Sequence, residues 1–587
     1  MPVVNHNTAE QTDSAPSPAI NPSWRFGDLS AAELMPQLRA YLLSKDSETN
    51  WQLVWLNNNG RPVIGLLPKT SWSVYPTYEA ISDQSLVSYK VTKQYRDACL
   101  TENAAKSNVI TTEQMSYAVW QEELIAYSQL YESHSTHSTD IKPLDEVDKK
   151  PNYHHGLIGF IGYDIAAHAL SPSANIQLAT HPCAVLGHYD IYLTPADETS
   201  DSVWTLKVNE ASNNFDKSDN KKNNATVIAL IAYLDALDKK LSDKRLEALS
   251  KPAPLILKAR WSKRDYQQAF DRTQDYLQQG DCYQINLTQE WNGSLVHQDK
   301  HDKPLSNLIH YLPDLHRNTQ APFAGYLGVQ YIGDKTKTNT QDQSSKQTHA
   351  AEQAIFAGQD SFNFELLSCS PELFFTFIKD CETGKHHILT KPIKGTMPRG
   401  ATTEQDNNYK NQLINSEKDR AENVMIVDLL RNDLGKYAKI GSVKVPQLFA
   451  IESFSNVHHM VSTITAELKT DTHPLAVLFG SLPAGSITGT PKKRAVEIIS
   501  ELEVTPRGAY CGTMGYMNFD GSGQWNVLIR TIQANLSSNN GIQQAGHVSL
   551  WAGGGITIAS DCDAEYQECL DKVGNLLSIL AQNNISK

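Results

Sequence analysis

Two pairs of carboxylates in this chain share one spacing. Asp419 and Glu422 stand i,i+3 where a predicted helix opens, and that helix turns apolar from Val424 to Leu430. Glu565 and Glu568 repeat the spacing at the opening of the last predicted helix. Side chains three apart share a helix face, so two such helices brought together would make an oxygen-rich site suited to Mg²⁺. Acidic residues in a first turn also complement the helix dipole with no ligand present. Glu568 with Lys572 is, on the same grounds, an ordinary i,i+4 pair. Spacing alone leaves both readings open.

Proton handlers and a candidate nucleophile lie elsewhere. Lys394 sits in Leu389-Thr390-Lys391-Pro392-Ile393-Lys394-Gly395-Thr396. It is an amine nucleophile if it faces a pocket and a solvated lysine if it does not. Glu372 follows Ser370-Pro371 at the head of a strand, where half-burial would raise its pKa. His459 lies in an apolar run, and Arg530 could clamp a carboxylate with two parallel hydrogen bonds. Taken singly, each also reads as an ordinary core or surface residue. The glycine-rich stretches Pro483–Lys492 and Trp551–Thr557 offer bare backbone N–H groups to an anion. Neither has the order of a Walker loop, and a tight strand–helix turn explains them equally well.

The elements that must position these residues are those of a large α+β protein. At 587 residues the chain is long enough for two to four domains. Its formal charge of −13 argues against a nucleic-acid footprint, so local cations or a metal would have to hold any anionic substrate. No run approaches the roughly 18 apolar residues of a membrane span, and Met1–His6 has no basic or apolar leader region; a cytoplasmic location is the expectation. The scattered cysteines form no C-x-x-C pair.

Residues 1–22 read as a disordered tail, and 134–151, 209–224 and 334–353 as polar surface insertions. Strand-like runs such as Gly156–Tyr163 dominate residues 23–255, with a helix over 225–241. Residues 256–587 mix helices and strands. Ser262 with Asp265 predicts a capped helix start, with Gly280 as its stop. Pro491 predicts a first helical residue. Its stripe is Ala495, Ile498, Ile499 and Leu502, and the last helix buries Leu570, Val573, Leu577 and Leu580. Strands are predicted over 282–289, 372–377, 386–390, 508–518 and 525–535, in large, mostly antiparallel sheets.

In order along residues 262–582, these segments resemble the chorismate-utilising enzyme family. The resemblance is carried by Gly280–Asn286, Ser370-Pro371-Glu372, Lys391–Thr396, Asp419–Asn423, Val427–Gly435, the His459 segment, Gly485–Pro491, Ile529-Arg530-Thr531 and the acidic last helix. More loosely, Gly159–Asp164 and His188–Leu193 resemble the N-terminal domain of the family's ammonia-using large subunits. Water-using relatives carry a lysine base where this chain has Gln284, which implies ammonia as the nucleophile. Anthranilate synthases usually have alanine where this chain has Lys394; lysine there marks the branch that aminates C4 of chorismate.

The resemblance implies a set of roles. Lys394 attacks C2 as a covalent nucleophile while the C4 hydroxyl leaves, Glu372 is the general acid, and His459 assists. Glu422 and Glu568 are direct Mg²⁺ ligands, with Asp419 and Glu565 acting through water. Gly395, Thr396, Thr488, Tyr516, Arg530, Lys572 and the Gly553, Gly554 and Gly555 backbone bind substrate. Asp419 departs from the glutamate common in anthranilate synthases. No glutaminase segment or appended lyase is recognisable, so a separate glutamine amidotransferase subunit is expected to supply ammonia. Tryptophan held in the N-terminal domain is a further implication, with no residue assigned to it. Anthranilate formation is the alternative activity, and a non-catalytic chorismate or tryptophan sensor the alternative of another class.

Overall fold

The computed structural model describes residues 22–45, 52–77, 88–96, 110–132, 151–197, 200–209, 219–243, 252–295, 307–332, 361–454, 457–539, 542–543 and 546–582. The expected tail up to residue 21 and insertion 334–353 lie outside the described residues, as do residues 134–150 and 210–218 of the other two insertions.

Strand side chains alternate between two apolar interiors. Leu53 and Trp55 enter one buried cluster, and Val54 and Leu56 enter another. Likewise Leu157 and Ile161 point away from Ile158 and Phe160. With both faces covered, such strands read as continuous apolar runs rather than as alternating ones. The result is four layers: helices, a sheet of 13 strands, a second sheet of 12, and helices again. Neighbouring strands run antiparallel.

Both sheets draw on both halves of the sequence. Gln52–Leu56 pairs with Gly325–Ile332 in the first, and Gly156–Ile161 pairs with Thr513–Asn518 in the second. The division expected at residues 255 and 256 therefore separates neither sheet. Ala31–Lys45, Asp219–Asp243, Lys263–Gln278 and Cys562–Leu580 pack on the first sheet; Tyr117–Glu132, Glu417–Gly435 and Pro474–Ser481 pack on the second. Ser262 caps its helix in a complete capping box with Asp265.

Some boundaries differ from expectation. Pro491 is the N-cap, with extended ψ of 137°, and the helix proper is Lys492–Leu502. The last helix turns Cys569 and Leu576 fully inward, leaving Leu570 and Leu577 partly covered. The strand expected from 508 starts at Thr513, because Gly508 to Gly512 form a turn. The run over 525–535 is two strands in different sheets, Gly523–Val527 and Thr531–Asn539. The chain crosses between sheets at Leu528–Arg530, where Arg530 takes a left-handed φ of 51°. Gly523–Val527 and residues 531–534 are buried on either side, so the burial pattern runs through the crossing without a mark.

Candidate active site

Two helix N-termini converge on bare backbone. Ser416 caps Glu417–Gly435 by accepting from the Asp419 N–H at 3.3 Å. Asp561 caps Cys562–Leu580 by accepting from the Ala564 N–H at 3.0 Å. Each helix thereby presents its acid pair in its opening turns. Glycines let the strands come close enough to meet them. Gly395 has a left-handed φ of 80°, and a Cβ there would lie 2.9 Å from the Asp419 carboxyl carbon. On Gly546–Ile556, a Cβ at Gly554 would lie 2.8 Å from Glu565 Oε2. One at Gly555 would lie 2.5 Å from Gln284 Nε2 and 3.3 Å from Lys394 Nζ. The glycine strip is thus a floor on which the acids and the candidate nucleophile rest.

The charges on that floor alternate. Lys394 Nζ lies 3.3 Å from Glu422 Oε2. Lys418 Nζ lies 4.0 Å from Glu422 Oε1 and 3.3 Å from Glu565 Oε1. Lys572 Nζ lies 2.6 Å from Glu568 Oε1 and donates to the Gly553 carbonyl at 2.8 Å. Ser560 donates to Glu565 Oε1 at 2.8 Å. Burial works to raise the Glu568 pKa, but Lys572, Lys394 and Lys418 outweigh it and hold the carboxyl below its ordinary value. Among the described residues no three acidic, histidine or cysteine side chains close around a common centre. The donor set nonetheless fits a hard divalent cation: the donors are carboxylate oxygens, Glu422 Oε1 is buried with no hydrogen-bond partner, and an ammonium already bridges Glu422 and Glu565.

Glu372 precedes the strand Leu373–Lys379 and is buried. Burial pushes its pKa up to about 7, against the ordinary 4.5; the Ser486 hydroxyl, donating to Oε1 at 3.1 Å, and the charges of Lys394 and Lys572 offset part of that rise. A carboxyl that keeps its proton near neutrality is suited to general acid work. His459 is buried too. Burial, Arg530 and His458 bring its pKa down to about 4, so the imidazole is neutral. Its Nδ1 lies 2.8 Å from Thr396 Oγ1, its cross-strand neighbour. The Arg530 guanidinium is largely buried, and among the described residues no carboxylate pairs with it.

The structure thus brings together Lys394, Gly395, Asp419, Glu422, Gly553, Gly554, Gly555, Glu565, Glu568 and Lys572, places Glu372 within reach of the Lys394 and Lys572 charges, and sets His459 beside Thr396 and Arg530. Two expected substrate binders are placed differently. Tyr516 lies in the core between the sheets, its hydroxyl donating to the Pro151 carbonyl, because residue parity on Thr513–Asn518 turns it inward with Met514. The Thr488 hydroxyl donates to the Ala484 carbonyl at 2.7 Å and closes its own turn. Thr396 uses its hydroxyl on His459.

Sequence reasoning missed Ser486 and Lys418 as partners. Ser486 lies in a loop noted for its glycines, Thr488 and Pro491 and not for this hydroxyl. Lys418 gave a signal, since a cation in a first helical turn opposes the dipole and needs another reason to be there. Beneath the site, Arg507 and Glu503 form a buried pair at 2.7 Å. Arg507 also donates to the Ile487 and Asn286 carbonyls, fixing the Gly485 loop to the Gln284 strand.

Residues 96–578 match the chorismate binding enzyme family. Aminodeoxychorismate synthase component 1 of Salmonella typhimurium is 35% identical over 427 residues, covering 72% of this chain and 76% of its own. Anthranilate synthase component 1 of Bacillus subtilis is 43% identical over 194 residues, 33% of this chain and 36% of its own. Anthranilate synthase component I from Streptococcus pneumoniae TIGR4 superimposes with a TM-score of 0.53 at 20% identity, over 86% of this chain and 92% of that one. The family match spans both halves of the sequence. The chain belongs to the chorismate-binding enzyme family, among its aminodeoxychorismate synthase component 1 members.

Proposed function

We propose that this chain replaces the C4 hydroxyl of chorismate with an amino group, giving 4-amino-4-deoxychorismate. The observation that carries the reading is Lys394, with its amine on the glycine floor beside a buried carboxyl, Glu372, that keeps its proton near neutral pH. Once the Lys394 ammonium has given up its proton, the free amine attacks C2, both ring double bonds shift (C1=C2 and C5=C6 become C1=C6 and C4=C5), and the C4 hydroxyl leaves as water with the Glu372 proton. Ammonia then adds at C4, both double bonds return, the C2 ammonium is expelled as the free lysine amine, and the Glu372 carboxylate takes a proton back from the new C4 ammonium. Two conjugate displacements replace one difficult substitution. His459, neutral and held through Nδ1, orients the departing hydroxyl. Arg530 offers two donors to a substrate carboxylate.

Glu422 and Glu568, with Asp419 and Glu565 behind them, would hold Mg²⁺, whose charge would neutralise a substrate carboxylate in this acidic site. The ammonia would come from a separate glutamine amidotransferase subunit, the product serving 4-aminobenzoate and folate formation in the cytoplasm. The high identity to an anthranilate synthase over part of the chain keeps anthranilate as the second reading.

Product analysis tests both. The purified chain with chorismate, Mg²⁺ and ammonium is expected to give the 4-amino product with its enolpyruvyl group intact. Lys394→Ala is expected to lose that product by at least about a thousandfold. Fluorescent anthranilate with released pyruvate would overturn the assignment. Full 4-amino product formation by Lys394→Ala would overturn the covalent step alone.

A further inference from the structure

We propose that Lys418 is an exchangeable internal counter-ion, which occupies the place of a divalent cation in the metal-free protein and withdraws when the cation binds. The inference rests on the metal reading above. Lys418 stands in the first turn of Glu417–Gly435, where the helix dipole disfavours a cation. What holds it there is acidic: it reaches Glu422 four residues on in its own helix and Glu565 on the last helix. Without a cation between them, these two nearly buried carboxylates would face one another compensated, among the described residues, only by Lys394 on Glu422 Oε2 and the Ser560 hydroxyl on Glu565, which is costly.

Three lysines share the task, and they differ in freedom. Lys394 is 17% exposed and Lys572 is tied to the Gly553 carbonyl, whereas Lys418 is 55% exposed and anchored to carboxylates only. Its long stem can carry the ammonium into water at little cost. The acids it leaves, Glu422 and Glu565, come from both helices, and Glu422 Oε1 already lacks a hydrogen-bond partner. A divalent ion thus inherits a site kept assembled and neutralised until it arrives. A tethered ammonium sets the affinity that any entering cation must exceed, which favours divalent over monovalent ions.

Equilibrium binding of Mn²⁺ in the absence of substrate, read from the electron paramagnetic resonance of the free ion, tests this. Lys418→Met removes the competitor and is expected to bind Mn²⁺ roughly five- to tenfold more tightly than wild type. It should also melt lower than wild type in EDTA, with the gap closing when Mn²⁺ is added. Lys418→Arg keeps the charge and should bind no tighter than wild type. Unchanged or weaker binding by Lys418→Met, with binding abolished by Glu422→Gln, would overturn the counter-ion role and leave the metal site standing. Equal tightening by Lys418→Arg would also overturn it, since shape and not charge would then be responsible. No saturable binding to wild type, with Glu422→Gln indistinguishable from it, would sink the metal site and the counter-ion together.

Discussion

Two buried ionic clusters lie close together in this protein, and they are finished to different degrees. In the Arg507–Glu503 cluster every charged atom is used. Arg507 Nε and Nη2 donate to Glu503 at 2.7 Å, its remaining donors hold the Ile487 and Asn286 carbonyls, and Glu503 accepts from the Thr288 N–H and hydroxyl at 2.8 Å. The guanidinium stacks on the Tyr163 ring at 4.6 Å. Around Lys394 the network stays open: among the described residues Glu422 Oε1 has no hydrogen-bond partner, no carboxylate pairs with Arg530, and Glu372, half-protonated near pH 7, accepts from Ser486. A closed network specifies structure, and an open one waits for ligand.

Breaking the closed cluster should have the largest effect. Arg507→Met leaves Glu503 buried and charged with two backbone carbonyls unpaired, so a loss of about 3–5 kcal/mol of stability is expected. Chemical denaturation measures it. A loss under about 1 kcal/mol would mean that the pair is not the scaffold that its geometry describes.

Glu372→Gln should act in the opposite sense on stability. The folded chain keeps the Glu372 proton up to about pH 7, whereas the ordinary value is 4.5. Across that window the folded state binds more protons than the unfolded one, so this group's contribution to stability falls as pH rises. Glutamine has no such slope. The variant should be more stable than wild type at pH 8 by up to about 3 kcal/mol, yet slower by roughly a hundredfold or more. Wild-type turnover should decline as pH rises through about 7, while the residual rate of the variant should not. A variant neither slower nor more stable at pH 8 would remove Glu372 from the open cluster.

This contrast was only half legible in the sequence. The acid pairs were visible because i,i+3 spacing is a local signal, and the Ser262–Asp265 cap because it closes within one turn. The family resemblance picked out Lys394 and Glu372. Sheet membership was not visible: Val527 and Thr531 belong to different sheets, yet both are buried, and apolar pattern reports burial alone. Tyr516 failed for a related reason, since alternation fixes which residues share a face but not which face meets the site. Ser486 acts on a partner in a distant segment, and so does Lys418 where it reaches Glu565; the i,i+4 spacing of Lys418 with Glu422 was local, but it did not announce the second helix.

Smaller changes should touch the open cluster without the fold. Gly555→Ala places a methyl against Gln284 Nε2 and Lys394 Nζ, both ends of flexible side chains. These can shift, so melting should change little. A displaced nucleophile should still lower turnover by about ten- to a hundredfold. Equal activity would mean that the position of the Lys394 amine against the floor is not what the reaction needs.

Thr396→Val should have the smallest effect and sharpen the comparison most finely. Thr396 and His459 face each other across two strands, and the hydroxyl lies 2.8 Å from Nδ1. A partner on Nδ1 fixes the ring and, with it, the proton state that the other nitrogen offers. Burial and the nearby Arg530 and His458 charges already keep the imidazole neutral, so Thr396 governs orientation rather than charge. Valine keeps the shape and removes the hydrogen bond, at a cost of about 1 kcal/mol. A fall in kcat of roughly three- to tenfold is therefore expected, with KM and the pH profile preserved, and Thr396→Ser should restore it. If valine and serine are alike and both match wild type, His459 is held by packing against Phe454, whose ring lies 5.4 Å away, and the hydrogen bond belongs with the closed cluster rather than the open one.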